Sequence, residues 1–67
     1  MGEPYVEHIE GKIWELRPGN YRFIFFVWGD KFVLTNAFRK KGRKTPDNEK
    51  AIAKKRYSDW IKRFGHK

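Results

Sequence analysis

The chain contains no cysteine among its 67 residues. No disulfide can therefore staple it, and a reducing compartment is the simpler expectation. Histidine is nearly as scarce: His8 and His66 stand near opposite ends of the sequence, which argues against a structural zinc site. No apolar run approaches the roughly 20 residues that a membrane helix needs. The opening MGEPYVEHIEG is acidic and lacks the basic and apolar regions of a signal peptide. These absences lead to the expectation of a cytoplasmic protein with no membrane span, no metal and no cofactor. A chain of this length buries only about 60% of its unfolded surface, so a single small domain of marginal stability is expected.

What is present is positive charge, unevenly placed. Residues 1–30 carry three Lys/Arg and five Asp/Glu, net −2, whereas residues 31–67 carry thirteen and three, net +10. Such a split favours a polyanionic partner, nucleic acid first. The densest stretch is FRKKGRKTP, where Arg39, Lys40, Lys41, Arg43 and Lys44 fall within seven residues and no acid neutralises them.

Three strands and a helix are readable. KIWELR (12–17) alternates, with Trp14 and Leu16 on one face and Ile13, Glu15 and Arg17 on the other. Pro18-Gly19 suits a type II turn. YRFIFFVW (21–28) is almost wholly aromatic or β-branched, Gly29-Asp30 is a hairpin signal compatible with a II′ turn, and KFVLTNAF (31–38) returns as the third strand. After the basic loop, Thr45 is placed to cap a helix, with Pro46 at its first position and Asp47 and Glu49 in its first turn. Ala53, Tyr57, Trp60, Ile61 and Phe64 then recur at helical spacing, and Gly65 is a stop. The expected fold is α+β, a three-stranded antiparallel meander plus a C-terminal helix.

The middle strand is apolar on both faces: Tyr21, Phe23, Phe25 and Val27 on one, Ile24, Phe26 and Trp28 on the other. A strand of this kind reads as covered on both sides, and one helix covers one side. Each large apolar side chain left in water forgoes roughly 1.5–3 kcal/mol. A missing cover follows: more of the same protein, another subunit or a bound partner.

Taken together, WELRPGNYRFIFFVWGDKFVLTNAFRKKGRKTP and the basic helix after it resemble the second half of the phage-derived RelE/HigB-type toxins. The ordered set comprises a strand ending ELR, a short turn, YR opening an apolar strand, a hairpin, a strand ending in Phe, then paired lysines and K-T-P. It runs from Pro4 to about Phe64. The resemblance implies a microbial-ribonuclease-type fold and the toxin of a toxin–antitoxin pair, an endoribonuclease that cuts mRNA, commonly on the ribosome and without metal. It also implies an antitoxin partner, often with a helix-turn-helix part. Family members place two helices before the first strand, and none are readable here. Residues 1–67 are accordingly expected to form one RelE/HigB-like domain, the C-terminal portion of a longer one. A separate chain that supplies the absent helices is a further partner the resemblance implies. The alternatives are a non-catalytic remnant that binds RNA or antitoxin, and one half of a split toxin.

Cleavage of RNA without metal needs a base for the 2′-OH proton, cations for the phosphorane and an acid for the leaving 5′-oxygen. Arg22 is the only charge in its strand and matches the arginine of the YR motif. Its functional role is phosphate binding; its structural alternative is pairing with Glu15. Lys40 and Lys41 join Arg22 as the catalytic candidates. Crowding lowers lysine pKa values by like-charge repulsion, and solvent and salt blunt the effect. Arg17, Arg39, Arg43 and Lys44 are the RNA-binding candidates, with a salt bridge to Glu15 the competing reading for Arg17. His8 and His66 read as surface residues. Tyr57, Trp60 and Phe64 could stack on bases, but their helical spacing suits core packing.

Overall fold

The computed structural model describes residues 5–65. Strands β1 (Val6–Glu10), β2 (Ile13–Leu16), β3 (Tyr21–Trp28) and β4 (Lys31–Arg39) precede one helix, α1 (Asp47–Phe64). The strands form one antiparallel sheet in the order β1-β2-β3-β4. The α+β class and the C-terminal helix are as expected, and the sheet has four strands rather than three. The additional strand, β1, alternates in exposure with Glu7 and Ile9 inward, but Val6 and Ile9 are its only apolar residues and lie on opposite faces, so no apolar stripe marks it; its pairing with β2 shifts register between His8 and Glu10. Gly11, at φ +55°, makes the tight return into β2.

Register assigns the faces. Ile13 pairs with Phe26 and Glu15 with Ile24, while Trp14 pairs with Phe25 and Leu16 with Phe23. The first set faces α1. Ile13, Ile24 and Ala53 form the buried cluster, with Ile9, Phe38 and Tyr57 packed against it. Phe26 is fully buried beneath Tyr57 and Trp60, whose rings meet it edge-on at 4.8 and 5.9 Å, the geometry that aromatic quadrupoles favour. The helical aromatics are thus packing residues at Tyr57 and Trp60, whereas Phe64 is about half exposed and stacks on Trp60.

Polar clips fasten the helix to β4. A bulge between the Ile24 and Phe25 pairings leaves Thr35 as the extra residue. Its hydroxyl lies 2.9 Å from the Ile24 carbonyl and 2.6 Å from Asn36 Oδ1. Asn36 Nδ2 donates to Glu49 at 2.8 Å, and Arg56 donates to the Thr35 carbonyl at 2.6 Å. At the bulge the Ile24 carbonyl is thus satisfied by the Thr35 hydroxyl and the Thr35 carbonyl by Arg56 of α1.

Two local expectations are corrected. The turn after β2 closes through a hydrogen bond from Tyr21 N–H to the Pro18 carbonyl at 3.1 Å. Gly19, at φ +59°, is its second residue, so the turn sits one residue later than a Pro-Gly type II turn and has II′ character. The Gly29-Asp30 hairpin is as read, with Gly29 at φ +63°. Thr45 does not cap α1. Pro46 occupies the cap position without a side-chain hydrogen bond, and the Thr45 hydroxyl is spent elsewhere. No helix of the described residues is long and apolar enough to cross a membrane.

Candidate nucleic-acid interface

The sheet end nearest the basic loop gathers the arginines. Leu16 pairs with Phe23, and one step further along the same register Arg17 stands opposite Arg22. Arg22 in turn pairs with Phe38 on β4. All three positions lie on the helix side of the sheet. The β3–β4 ladder continues past its last pair through a hydrogen bond from Lys40 N–H to the Asn20 carbonyl at 2.7 Å. Strand alternation then returns Lys40 to the side of Phe38 and Arg22. From there the chain crosses this end of the sheet and enters α1.

The two arginines have opposite electrostatic situations. Arg17 donates to Glu15 at 2.7 Å, lies 3.3 Å from Glu7, and has its guanidinium over the Tyr5 ring at 5.7 Å. Burial works against its charge. The hydrogen bond to Glu15 and the negative charges of Glu15 and Glu7 outweigh that effect and hold its pKa above that of free arginine. Arg22 is 8% exposed. Its NH1 donates to the carbonyls of Tyr21 at 2.8 Å and Gly19 at 3.2 Å, and no carboxylate among the described residues pairs with it. The expected alternative pairing of Arg22 with Glu15 is absent because Arg17, two residues from Glu15 on the same strand face, takes that carboxylate.

Glu15 is completely buried. Its second oxygen accepts from the Thr45 hydroxyl at 2.9 Å, so both carboxylate oxygens are engaged. A buried carboxylate without partners would be prohibitively costly. Here one arginine and one threonine satisfy it, and the threonine ties the exit of the basic loop to β2.

Beside this network lies a polar cavity of about 240 Å³, lined by Glu7, His8, Ile9, Arg17, Arg43, Lys44, Thr45 and Lys50. It brings Arg17, Arg43 and Lys44 together, and adds two charged residues that sequence reasoning did not single out, Glu7 and Lys50. Lys50 stands near the start of α1, and helical spacing alone does not turn it toward a groove. Glu7 was hidden with the rest of β1. His8 donates its Nε2 to the Gly11 carbonyl at 2.7 Å and packs on Trp14, so its ring is occupied. Arg39 does not join the cluster: it pairs with Tyr21, lies over that ring at 5.9 Å, and so belongs to the opposite face. Lys40, Lys41, Arg43 and Lys44 are exposed. His66 lies outside the described residues. Among the described residues no three His, Cys, Asp or Glu side chains cluster to hold a metal.

The model of the family described as "Phage derived protein Gp49-like (DUF891)" matches residues 1–58. The chain belongs to this family. Similar curated proteins are the "Probable endoribonuclease HigB1" of two Mycobacterium tuberculosis strains, CDC 1551 / Oshkosh and ATCC 25618 / H37Rv. Each is 36% identical over 64 residues, which cover 90% of this chain and 51% of the relative. These similarities support the RelE/HigB-type resemblance drawn from the ELR, YR and K-T-P motifs. This Gp49-like chain spans about half the length of the curated relatives it matches.

Proposed function

We propose that this chain carries the RNA-handling part of a toxin–antitoxin endoribonuclease. The observation that carries the reading is the state of Arg22. Its guanidinium is almost wholly buried with only carbonyl partners, directly across from Arg17 and at the foot of a loop dense in cations. A buried charge without a counter-charge is costly, and an RNA phosphate at this end of the sheet supplies the missing anion.

In this reading Arg22, Lys40 and Lys41 stabilise the phosphorane, since arginine stays protonated throughout. Arg43, Lys44 and Lys50 hold flanking phosphates. Arg17, committed to Glu15 and Glu7, contributes potential rather than a free donor. Glu7 reaches the groove with one oxygen on Arg17 and is 43% exposed. In this reading its carboxylate takes the 2′-OH proton as that oxygen attacks phosphorus, and an ammonium of the Lys40/Lys41 pair gives a proton to the 5′-oxygen as its bond to phosphorus breaks. The products are a 2′,3′-cyclic phosphate end and a 5′-hydroxyl end. The substrate is mRNA, met on the ribosome, and a small antitoxin is the silencing partner. The names of the HigB1 relatives and the cationic groove support this reading.

A second reading is favoured by the span of the match: this stretch binds RNA or antitoxin and does not itself cut. A translating extract separates the two. Cleavage of mRNA, lost in Arg22→Ala and in the Lys40→Ala/Lys41→Ala pair, supports the nuclease. Salt-sensitive binding with intact message at every protein concentration selects the binder.

A further inference from the structure

Three local preferences are overridden at one place, the carboxylate of Glu15. The buried apolar residues among those described are Ile13, Ile24, Phe26 and Ala53. Glu15 takes an inward position beside them, two residues after Ile13 and opposite Ile24, at complete burial. Replacing a buried ionic group by an apolar side chain is often neutral or stabilising, so stability alone gives no reason for a carboxylate in so small a core. Glu7 stands directly opposite Glu15 in the β1–β2 register, and like charges facing each other across a ladder are unfavourable. Thr45 commits its hydroxyl to Glu15 and leaves α1 without a side-chain cap, although a threonine cap stabilises a helix. Conflicts of this kind are expected at functional positions.

The three conflicts have a common result. A polar chain runs from the exit of the basic loop to the groove. Thr45 Oγ1 donates to Glu15 Oε2 at 2.9 Å, Arg17 Nε donates to Glu15 Oε1 at 2.7 Å, and Arg17 NH1 lies 3.3 Å from Glu7 Oε1. Thr45 directly follows Arg43 and Lys44, so its anchor fixes where that cationic wall stands. Arg17 bridges two carboxylates, so its outer edge fixes Glu7, the acidic wall. Both walls line the same cavity of about 240 Å³. One buried carboxylate therefore sets the two walls against each other, through charge-assisted bonds that a dry site strengthens. The two ends of the Thr45–Glu15 link are the threonine of K-T-P and the glutamate of ELR, 30 residues apart in sequence.

We propose that Glu15 and Thr45 are positioning residues for RNA. At 0% and 7% exposure they lie beneath the groove and do not touch the strand. Together they hold Arg43 and Lys44 across the groove from Glu7, where the two cations meet phosphates. The inference rests on the reading of the groove as an RNA site, and adds to that site two residues outside its contact surface.

Binding of a short fluorescent single-stranded RNA by the full chain, measured across a salt series, tests it. Thr45→Val and Glu15→Gln are expected to reduce the slope of log affinity against log salt by about 1.4, two phosphates at about 0.7 each, as Arg43 and Lys44 leave their places. Scaled from about 1 M salt, that change amounts to about tenfold in affinity at about 0.2 M. A variant that is only less folded loses active protein at every salt and keeps the parent slope, so the slope separates positioning from stability. Thr45→Ser restores the hydroxyl and is expected to recover the parent slope. Gly29→Ala, strained at the far hairpin, is expected to keep that slope while losing stability. Thr45→Val leaves Arg17 on Glu15 and carries the test where Glu15→Gln does not fold. Amide exchange of residues 40–46 without RNA reads the anchor itself, and is expected to quicken in Thr45→Val while β3 stays protected. A parent slope retained by Thr45→Val, or unchanged exchange in residues 40–46, overturns the inference and leaves the RNA reading standing. A parent chain with no salt-dependent RNA binding overturns the RNA reading, and this inference with it.

Discussion

Replacing Arg22 by methionine separates two roles that usually fall together. The side chain lies 8% exposed with NH1 on the carbonyls of Tyr21 and Gly19. Hydrogen bonds from a charged donor are worth about 1.5–3 kcal/mol each. Against them stands the cost of keeping an ion out of water without a counter-charge, several kcal/mol even after relaxation. Tyr21 and Gly19 are both exposed, so water can take over their carbonyls when the guanidinium is gone. Methionine fills a similar volume without charge. The two contributions nearly cancel, and Arg22→Met is expected to change unfolding stability by less than about 2 kcal/mol, with a gain as plausible as a loss. RNA cleavage should behave differently: removing one fixed cation from the developing phosphorane costs roughly 10²–10³-fold in rate. Urea titration followed by tryptophan fluorescence, beside cleavage of a defined message in a translating extract, reads both quantities. A variant that loses more than about 4 kcal/mol shows the guanidinium to be a structural strut. A well-folded variant that cuts within twofold of the parent removes Arg22 from the site.

Thr45→Val is expected to cost about 1.5–3 kcal/mol, because it strips a hydrogen bond from the wholly buried Glu15; the urea midpoint measures it, and Thr45→Ser should restore most of the loss. The Lys40→Ala/Lys41→Ala pair should weaken binding of single-stranded RNA of any sequence and reduce the slope of log affinity against log salt by about 1.4, two phosphates at about 0.7 each. An unchanged slope places these lysines away from the backbone. Gly29→Ala should cost about 1–2 kcal/mol through backbone strain alone, since φ is +63° and nothing lies within 4 Å of an added Cβ. A calorimetric melt showing no loss would argue against the II′ geometry of that turn.

Much of the fold was legible because β2, β3 and β4 obey their period. Alternation alone put Ile13, Glu15 and Arg17 on one face and Trp14 and Leu16 on the other, and the two-sided apolarity of β3 announced a face that α1 does not cover. β1 was illegible for a physical reason: its two apolar residues fall on opposite faces, Val6 on the face that α1 does not cover and Ile9 against the core, with polar or charged residues between them, so neither face shows an apolar stripe. Thr45 looked like a helix cap because capping is a local rule. A buried carboxylate thirty residues away in sequence binds its hydroxyl more strongly than any exposed amide could. The basic loop was visible as charge, but its division was not. Arg39 turned to the other side through strand parity, and Arg43 and Lys44 met Glu7 and Lys50 only through the tertiary path of the chain.

The loop between β4 and α1 is fastened at both ends, by Lys40 N–H on Asn20 at 2.7 Å and by Thr45 on Glu15 at 2.9 Å. Its cations are therefore held like beads on a short handle whose ends cannot slide apart. Their mutual repulsion is a standing load on the folded chain that the slack, unfolded polymer escapes. The apo protein should consequently grow more heat-resistant as added salt screens that load, and a strand of polyanion laid across the handle should steady it further still.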